Sequence, residues 1–220
     1  MVTIEATPAS LEVDPGRAAV LVVDMQNDFG APGGMFERAG IDISGIGAAA
    51  EASRSVLEAA RAADIPVVYL KMEHAPDLSD VGPEDGPHWI KHSRLRVGDE
   101  VVAPDGSPSR ILIRDTWNTQ ILDSLAPEPG DLVVSKHRYS GFFETDLDDV
   151  LRGLGANYLF VTGCTYDVEN EYDSWRVYVH QYRDIAGRKE KGGLQHTYLI
   201  LDAVGNCLAH IPGTEFGALN

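Results

Sequence analysis

The chain has 220 residues, 44% of them hydrophobic, and 34 acidic side chains against 18 basic ones for a net charge of −16. Length and apolar content suit one domain with a single substantial core, and the charge argues against a nucleic-acid partner, whose phosphates would be repelled. Two cysteines, Cys164 and Cys207, exclude a disulfide framework and a cysteine-based zinc site, and no apolar run is long enough to span a membrane. The N-terminus "MVTIEATPAS" has no basic stretch followed by an apolar core, so a cytoplasmic protein is expected.

In chain order, residues 1–16 read as an arm closed by the turn signal "DPG". Ala18 to Val23 form a short, continuous apolar run rich in valine, the pattern of a central parallel strand buried on both faces. The stretch "NDFGAPGGMF" reads as a glycine- and proline-rich loop. "ISGIGAAAEASRSVLEAARAAD" is alanine-rich with apolar residues at helical spacing and predicts a helix. "IPVVYLKM" is the next strand. The 38 residues that follow, from Glu73 to Arg110, are polar and rich in turn residues, and a loop of that length is more often a functional lid than an idle connection. "WNTQILDSL" predicts a short helix and "DLVVSK" a strand. "TDLDDVLRGLG" predicts a helix with Thr145 as N-cap, Asp148 as its capping-box partner, and Gly153 and Gly155 at its end. "NYLFVTG" is another buried strand, and "HTYLILDAVGN" reads as the last.

Strands alternating with helices argue for an α/β domain with a central, mostly parallel sheet and helices on both faces, a three-layer α/β/α architecture. Sites in such sheets lie at the carboxyl ends of the strands. Three polar groups fall there: Asp24 after "VLVV", Lys136 after "DLVVS", and the turn "GCTYDVE" after "YLFVT".

Those three places carry a combined motif. "LVVDMQNDF", "KHRYSGFFETDLDDVLRGLG" and "YLFVTGCT" resemble the isochorismatase-like superfamily of cysteine hydrolases. Residues 115–143 are most similar to the ureidoacrylate and biuret amidohydrolases. The resemblance spans about residues 15 to 168. It implies a single hydrolase domain over residues 1–220, a small-molecule amide or ureido substrate, no cofactor, and a homo-oligomeric assembly.

In that family an aspartate, a lysine and a cysteine act together. The thiolate attacks an amide carbonyl after the aspartate takes its proton, and the lysine holds the carboxylate. The resemblance places Asp24 and Lys136 in the first two roles. It places an oxyanion hole at the backbone amides of Thr165 and Glu169, and pocket walls at Phe29, Tyr139 and Phe142. It also departs from the family. In register with "CTTSVC"-like turns, Glu169 stands where the nucleophilic cysteine belongs, and Cys164 takes a structural place in the turn. Residues 164–220 diverge from the family pattern, although "YR" at 182–183 falls where the family often has the same pair.

Three readings of Glu169 follow. Catalysis is impaired and Asp24–Lys136 persists as an ion pair. Or the chemistry needs no thiol and Asp24 is the acid, as in the members that hydrolyse the vinyl ether of isochorismate. Or Cys164 is recruited, which the geometry of the turn disfavours. A glutamate near Asp24 would also raise the pKa of at least one of the two carboxyls. Nicotinamidases of this family hold a metal through an Asp-x-His pair and a further histidine. This chain has His74, His88 and His92 but no Asp-x-His, so no metal is expected. Trp89 and Trp117 either line the pocket or pack the loop.

Overall fold

In the computed structural model, residues 1–6 and 9–163 are described in full, together with the backbone of Thr197–Leu201 and Cys207–Pro212. The N-terminal arm is an antiparallel hairpin, β1 (Val2–Ile4) with β2 (Leu11–Val13). Asp14 closes it by accepting the Gly16 N–H, and Pro15 starts a single 3₁₀ turn.

The main sheet is built on β3 (Ala18–Val23), which is buried along its whole length. It lies between β4 (Val67–Met72) and β8 (Tyr158–Gly163), both parallel to it, and β7 (Leu132–Lys136) runs parallel on the far side of β4. Beyond β8 come β9 (Thr197–Leu201) and β10 (Cys207–Pro212), each antiparallel to its neighbour, in the order β10-β9-β8-β3-β4-β7.

The continuous apolar runs of the central strands serve two cores at once, because successive side chains point to opposite faces. Val20 and Val22 of β3 join Val67 and Tyr69 of β4 in the core under α3 (Ile46–Ala62). Ala19, Leu21 and Val23 join Val68 and Leu70 in the second core, under α5 (Leu147–Gly153). Helix α3 buries Ile46, Ala49, Ala50, Ser53, Leu57 and Ala60, one stripe of a 3.6-residue period. Its outer face carries Glu51, Arg54 and Glu58, with Arg54 paired to both acids. These are the three layers expected from the alternation of elements.

Several local expectations are corrected. The stretch after β3 is not a plain loop. It forms two single-turn helices, α1 (Asn27–Gly30) and α2 (Met35–Arg38), because the buried Asp28 carboxylate supplies acceptors that the turns need. The long polar segment contains α4 (Pro87–Arg94) and the hairpin β5 (Glu100–Val102)–β6 (Pro108–Arg110). Pro87 sits at the first helical position and Lys91, His92 and Arg94 in the last turn, which matches the helix dipole. "WNTQILDSL" is not one helix. It breaks into 3₁₀ turns at Trp117–Thr119 and Asp123–Leu125, with Ile121 between them bridging to Gln26. Helix α5 begins at Leu147, one residue later than a Thr145 cap would give. Thr145 Oγ1 accepts the Leu147 N–H at 3.3 Å. Asp148 pairs with Arg152 at 2.7 Å rather than closing a capping box.

Asp28 is fully buried. Its Oδ1 accepts the Met35 N–H at 2.8 Å and an Asn118 side-chain N–H, and its Oδ2 accepts the Leu112 N–H at 2.6 Å. Burial raises its pKa to about 6 and the three donors oppose that rise. Asn at this position would set an NH₂ group against at least one of these donors. Asp28→Asn is therefore expected to destabilise the fold by roughly 2–4 kcal/mol, read as a lower urea midpoint with an unchanged slope.

Candidate active site

The carboxyl ends of β3, β4 and β7 form one rim of the sheet. Asp24 follows β3 directly with φ +56, a left-handed conformation that aspartate tolerates better than most residues. Its N–H donates to Leu70 O at 3.0 Å, and its own carbonyl accepts the Gln26 N–H at 2.9 Å. The turn thus lifts the carboxyl over the end of β4. Lys136 ends β7, opposite Met72 in register. Adjacent strands lie about 4.8 Å apart, so β3 and β7 are roughly 10 Å apart with β4 between them. The long lysine side chain spans that gap. Its Nζ passes 3.9 Å from Met72 Sδ and donates to Asp24 Oδ2 at 2.9 Å.

The pair is sheltered: the Lys136 side chain is 3% exposed and that of Asp24 21%. Burial pushes the Asp24 carboxyl above its ordinary value, and the Lys136 ammonium pulls it back by less. Asp24 Oδ1 has no hydrogen-bond partner among the described residues, so one oxygen is held by the ammonium and the other is free to exchange a proton.

Gln26, unremarked in the sequence beside Asp24, sets this geometry. Its Oε1 accepts the Met72 N–H at 2.7 Å, and its Nε2 donates to Met72 O at 2.9 Å and to Thr119 O at 3.0 Å. The side chain completes the hydrogen bonding at the end of β4 and fixes the residue over which Lys136 crosses. The sequence "DMQNDF" shows only its place two residues after Asp24; its complete burial, which demands several partners, is a product of the fold.

Gly163 closes the rim. It pairs with Val23 across β3 and β8 at φ +147, and a Cβ there would meet Val23 O at 2.1 Å. Only glycine lets the two strands meet immediately before Asp24 and the "CTYDVE" turn.

Of the pocket walls expected from the resemblance, Phe29 packs in the core against Phe36, with ring centroids 5.0 Å apart. Its ring is committed to the layer under α3. Tyr139 and Phe142 stand exposed after β7, with Lys91 Nζ 4.6 Å above the Tyr139 ring. Trp89 and Trp117 are half-buried. Cys164, Thr165 and Glu169, and with them the expected oxyanion hole, lie outside the described residues.

A second constellation gathers the three histidines of the long polar segment. His74, two residues past β4, meets His88 and His92 of α4, and one ring nitrogen from each lies within 4.8 Å of the other two. The expectation of no metal rested on the missing Asp-x-His. The structure instead assembles three imidazoles, a donor set suited to a first-row metal ion. The sequence signal was the i, i+4 spacing of His88 and His92, which share a helix face once "GPHWIKHSR" is read as a helix.

Residues 18–172 match the family described as the Isochorismatase domain. The ureidoacrylate amidohydrolase RutB of Caulobacter vibrioides is 38% identical over 167 residues, covering 76% of this chain and 69% of that protein. RutB of Azorhizobium caulinodans is 39% identical over 165 residues, covering 75% and 71%. Among solved structures, a cysteine hydrolase from Pseudomonas syringae pv. phaseolicola 1448A superposes with a TM-score of 0.55 at 31% identity, covering 70% of this chain and 62% of that one. Among the described residues, no helix is long and apolar enough to cross a membrane.

Two outcomes test the site. Gly163→Ala is expected to cost roughly 3 kcal/mol, because the Val23 carbonyl must move. Chemical denaturation reads the loss, and a crystal structure of the variant shows Asp24 displaced. Lys136→Met removes the charge that lowers the Asp24 pKa, so the carboxyl titration, followed by NMR, moves further up. A carboxyl raised above its unfolded value favours folding below that unfolded value, and the contribution is lost as pH rises through the folded pKa. The stability gap between parent and Lys136→Met is therefore widest near neutral pH and narrows as Asp24 becomes protonated.

Proposed function

We propose that this chain, which belongs to the isochorismatase family, is a small-molecule hydrolase built to cleave a C–N amide or ureido bond, with turnover impaired because Glu169 stands where its relatives carry the nucleophilic cysteine. The observation that carries the reading is the sheltered Asp24–Lys136 pair, 2.9 Å apart at the carboxyl rim of the sheet. An aspartate with one oxygen held by an ammonium and the other unengaged is placed to take a proton from a nucleophile and return it to a leaving nitrogen. The low-exposure setting strengthens both interactions. The substrate class follows the two ureidoacrylate amidohydrolases that share 38–39% of their aligned residues with this chain. Asp24 and Lys136 are the acid–base pair, and the amides of Thr165 and residue 169 are the oxyanion donors. Tyr139 and Phe142 border the substrate, and the assembly is a homo-oligomer in the cytoplasm. Residues 164–220 are the divergent part of one hydrolase domain.

A second reading has its own support. Burial holds the Asp24 carboxyl above its ordinary value, which suits a proton donor that needs no thiol. A glutamate at position 169 beside it would push the same way. In that case the reaction is hydrolysis without a covalent intermediate, of the vinyl-ether type, with Asp24 as acid. With neither activity, the chain is a silent, ligand-binding member of the family.

Incubation with ureidoacrylate, biuret, nicotinamide and isochorismate separates these. On the first reading, the parent turns over none of them efficiently. Glu169→Cys then gains amidase activity of at least about tenfold, which Asp24→Asn removes again by about 10²–10⁴-fold. Turnover in the parent that survives thiol alkylation and is lost in Asp24→Asn supports acid catalysis instead. No turnover in parent or Glu169→Cys, with both folded, overturns the amidohydrolase reading.

A further inference from the structure

We propose that Arg138 determines the specificity of this site: its guanidinium receives a carboxylate carried by the substrate, so the ureide taken is a short ureido acid and not a neutral one such as biuret. The inference rests on the hydrolase reading above and decides between substrates which that reading leaves open.

Arg138 follows Lys136 by two residues, just past the end of β7. Its carbonyl lies 3.5 Å from Lys136 Nζ, the nitrogen that holds Asp24. The residue therefore stands on the rim beside the acid–base pair. Its side chain runs toward the long polar segment, where Nη1 donates to the carbonyls of Asp80 and His137. The guanidinium carbon lies 5.7 Å from the centroid of the Phe143 ring, within cation–π range.

These contacts fix the plane of the group and engage only one of its nitrogens. Nε and Nη2 make no hydrogen bond among the described residues, and the side chain is half-buried. The Nε–Nη2 edge is one that presents two parallel N–H groups to a carboxylate. Gly82 stands beside it, at φ +97, and a side chain there would begin 3.4 Å from Nη2. A glycine at this turn leaves that flank of the guanidinium uncovered.

The charges around Arg138 point the same way. The chain carries a net charge of −16, so a small anion is repelled from most of its surface and needs a local cation. Lys136 is committed to Asp24, Arg114 is paired with Asp80, and the Lys91 ammonium lies over the Tyr139 ring. Arg138 forms no ion pair among the described residues. The Asp80 carboxylate does not neutralise it, because Oδ1 lies 3.0 Å from His74 Nδ1 and Oδ2 accepts the Ala75 N–H at 2.9 Å. Only the Asp80 backbone carbonyl meets the guanidinium. Burial, with the Arg138 charge a smaller contributor, holds His74, His88 and His92 below their ordinary value. They are neutral near pH 7 and bring no competing charge.

A half-buried guanidinium has lost part of its hydration, and an incoming carboxylate restores that loss with two charge-assisted hydrogen bonds. A neutral amide in the same place makes only weaker ones. Arg138 thus favours ligands with an acid group at one end and leaves the ureido end to the Asp24–Lys136 pair.

The test compares two ligands of one shape, 3-ureidopropionate and its uncharged primary amide, by calorimetry on the full chain near pH 7. The parent is expected to bind the acid at least about tenfold more tightly than the amide. Arg138→Gln weakens acid binding by about 10–100-fold and leaves the amide within about twofold. Arg138→Lys, which keeps the charge and loses the fork, falls between them. In the Glu169→Cys background, Arg138→Gln raises KM for the acid by a similar factor with kcat changed by less than about threefold, and leaves turnover of biuret as it was. Equal binding of acid and amide by the parent overturns the proposal. So does an acid preference that survives in Arg138→Gln, or an equal loss of both ligands, which marks Arg138 as a tether of the Asp80 segment only. Should the variants fail to fold, the preference of the parent decides. Turnover of biuret by Glu169→Cys without any acid preference keeps the hydrolase reading and rejects this one. Acid preference in binding with no turnover of any ureide by Glu169→Cys does the reverse.

Discussion

The structure hangs on three polar side chains set at alternate positions after one strand, Asp24 partly sheltered and Gln26 and Asp28 buried. Asp24, Gln26 and Asp28 leave β3 in succession and each ties a different part of the molecule to it. Asp24 reaches Lys136 on β7, Gln26 completes the hydrogen bonding of Met72 on β4, and Asp28 gathers the N–H groups of Met35 and Leu112 with the Asn118 side chain. Buried polar groups stabilise only when they are satisfied, and a partly satisfied one is costly. Each of these side chains therefore constrains its partners as strongly as they constrain it. The short α1 and α2 turns, the broken 117–125 segment and the rim of the sheet all follow from where those partners must sit.

The same constraint organises the chemistry. β3 is central and buried on both faces, so its carboxyl end cannot drift, and Asp24 inherits that rigidity. Lys136 comes from a strand two places away and needs its full length to arrive. Met72, pinned by Gln26, is the surface over which it passes. An ion pair assembled this way is preorganised, because both side chains stand on backbone held by the sheet's hydrogen bonds. The raised Asp24 carboxyl is the electrostatic consequence of its partial desolvation at the rim, which the Lys136 ammonium offsets only in part.

The histidine cluster sits beside this pair and rests on a different kind of order. Its members come from the long polar segment, whose internal structure is a short helix and a hairpin rather than a lid without form. The helix brings two imidazoles onto one face, and the end of β4 brings the third. Asp80 and the His88 carbonyl then decide which nitrogens point inward. A polar segment packed against the rim in this way extends the site beyond the strand ends.

The sequence alone was enough for the architecture and for the two polar strand ends. Short valine-rich runs that alternate with a helical pattern read as the strands of a parallel sheet, and the spacing in 46–62 reads as an amphipathic helix. An aspartate and a lysine directly after two such strands must then share one rim of the sheet. Tertiary structure decided what depends on partners distant in the chain. It turned "NDFGAPGGMF" into two helical turns, because Asp28 finds donors 84 and 90 residues away. It split "WNTQILDSL" in two, because Ile121 bridges to Gln26 and Thr119 O accepts from the Gln26 side chain. It drew Phe29 into the core, and it brought His74 to His88 and His92. Local pattern records the period of a segment and the identity of its residues. Which buried polar group each segment must satisfy is settled only when the chain has closed on itself.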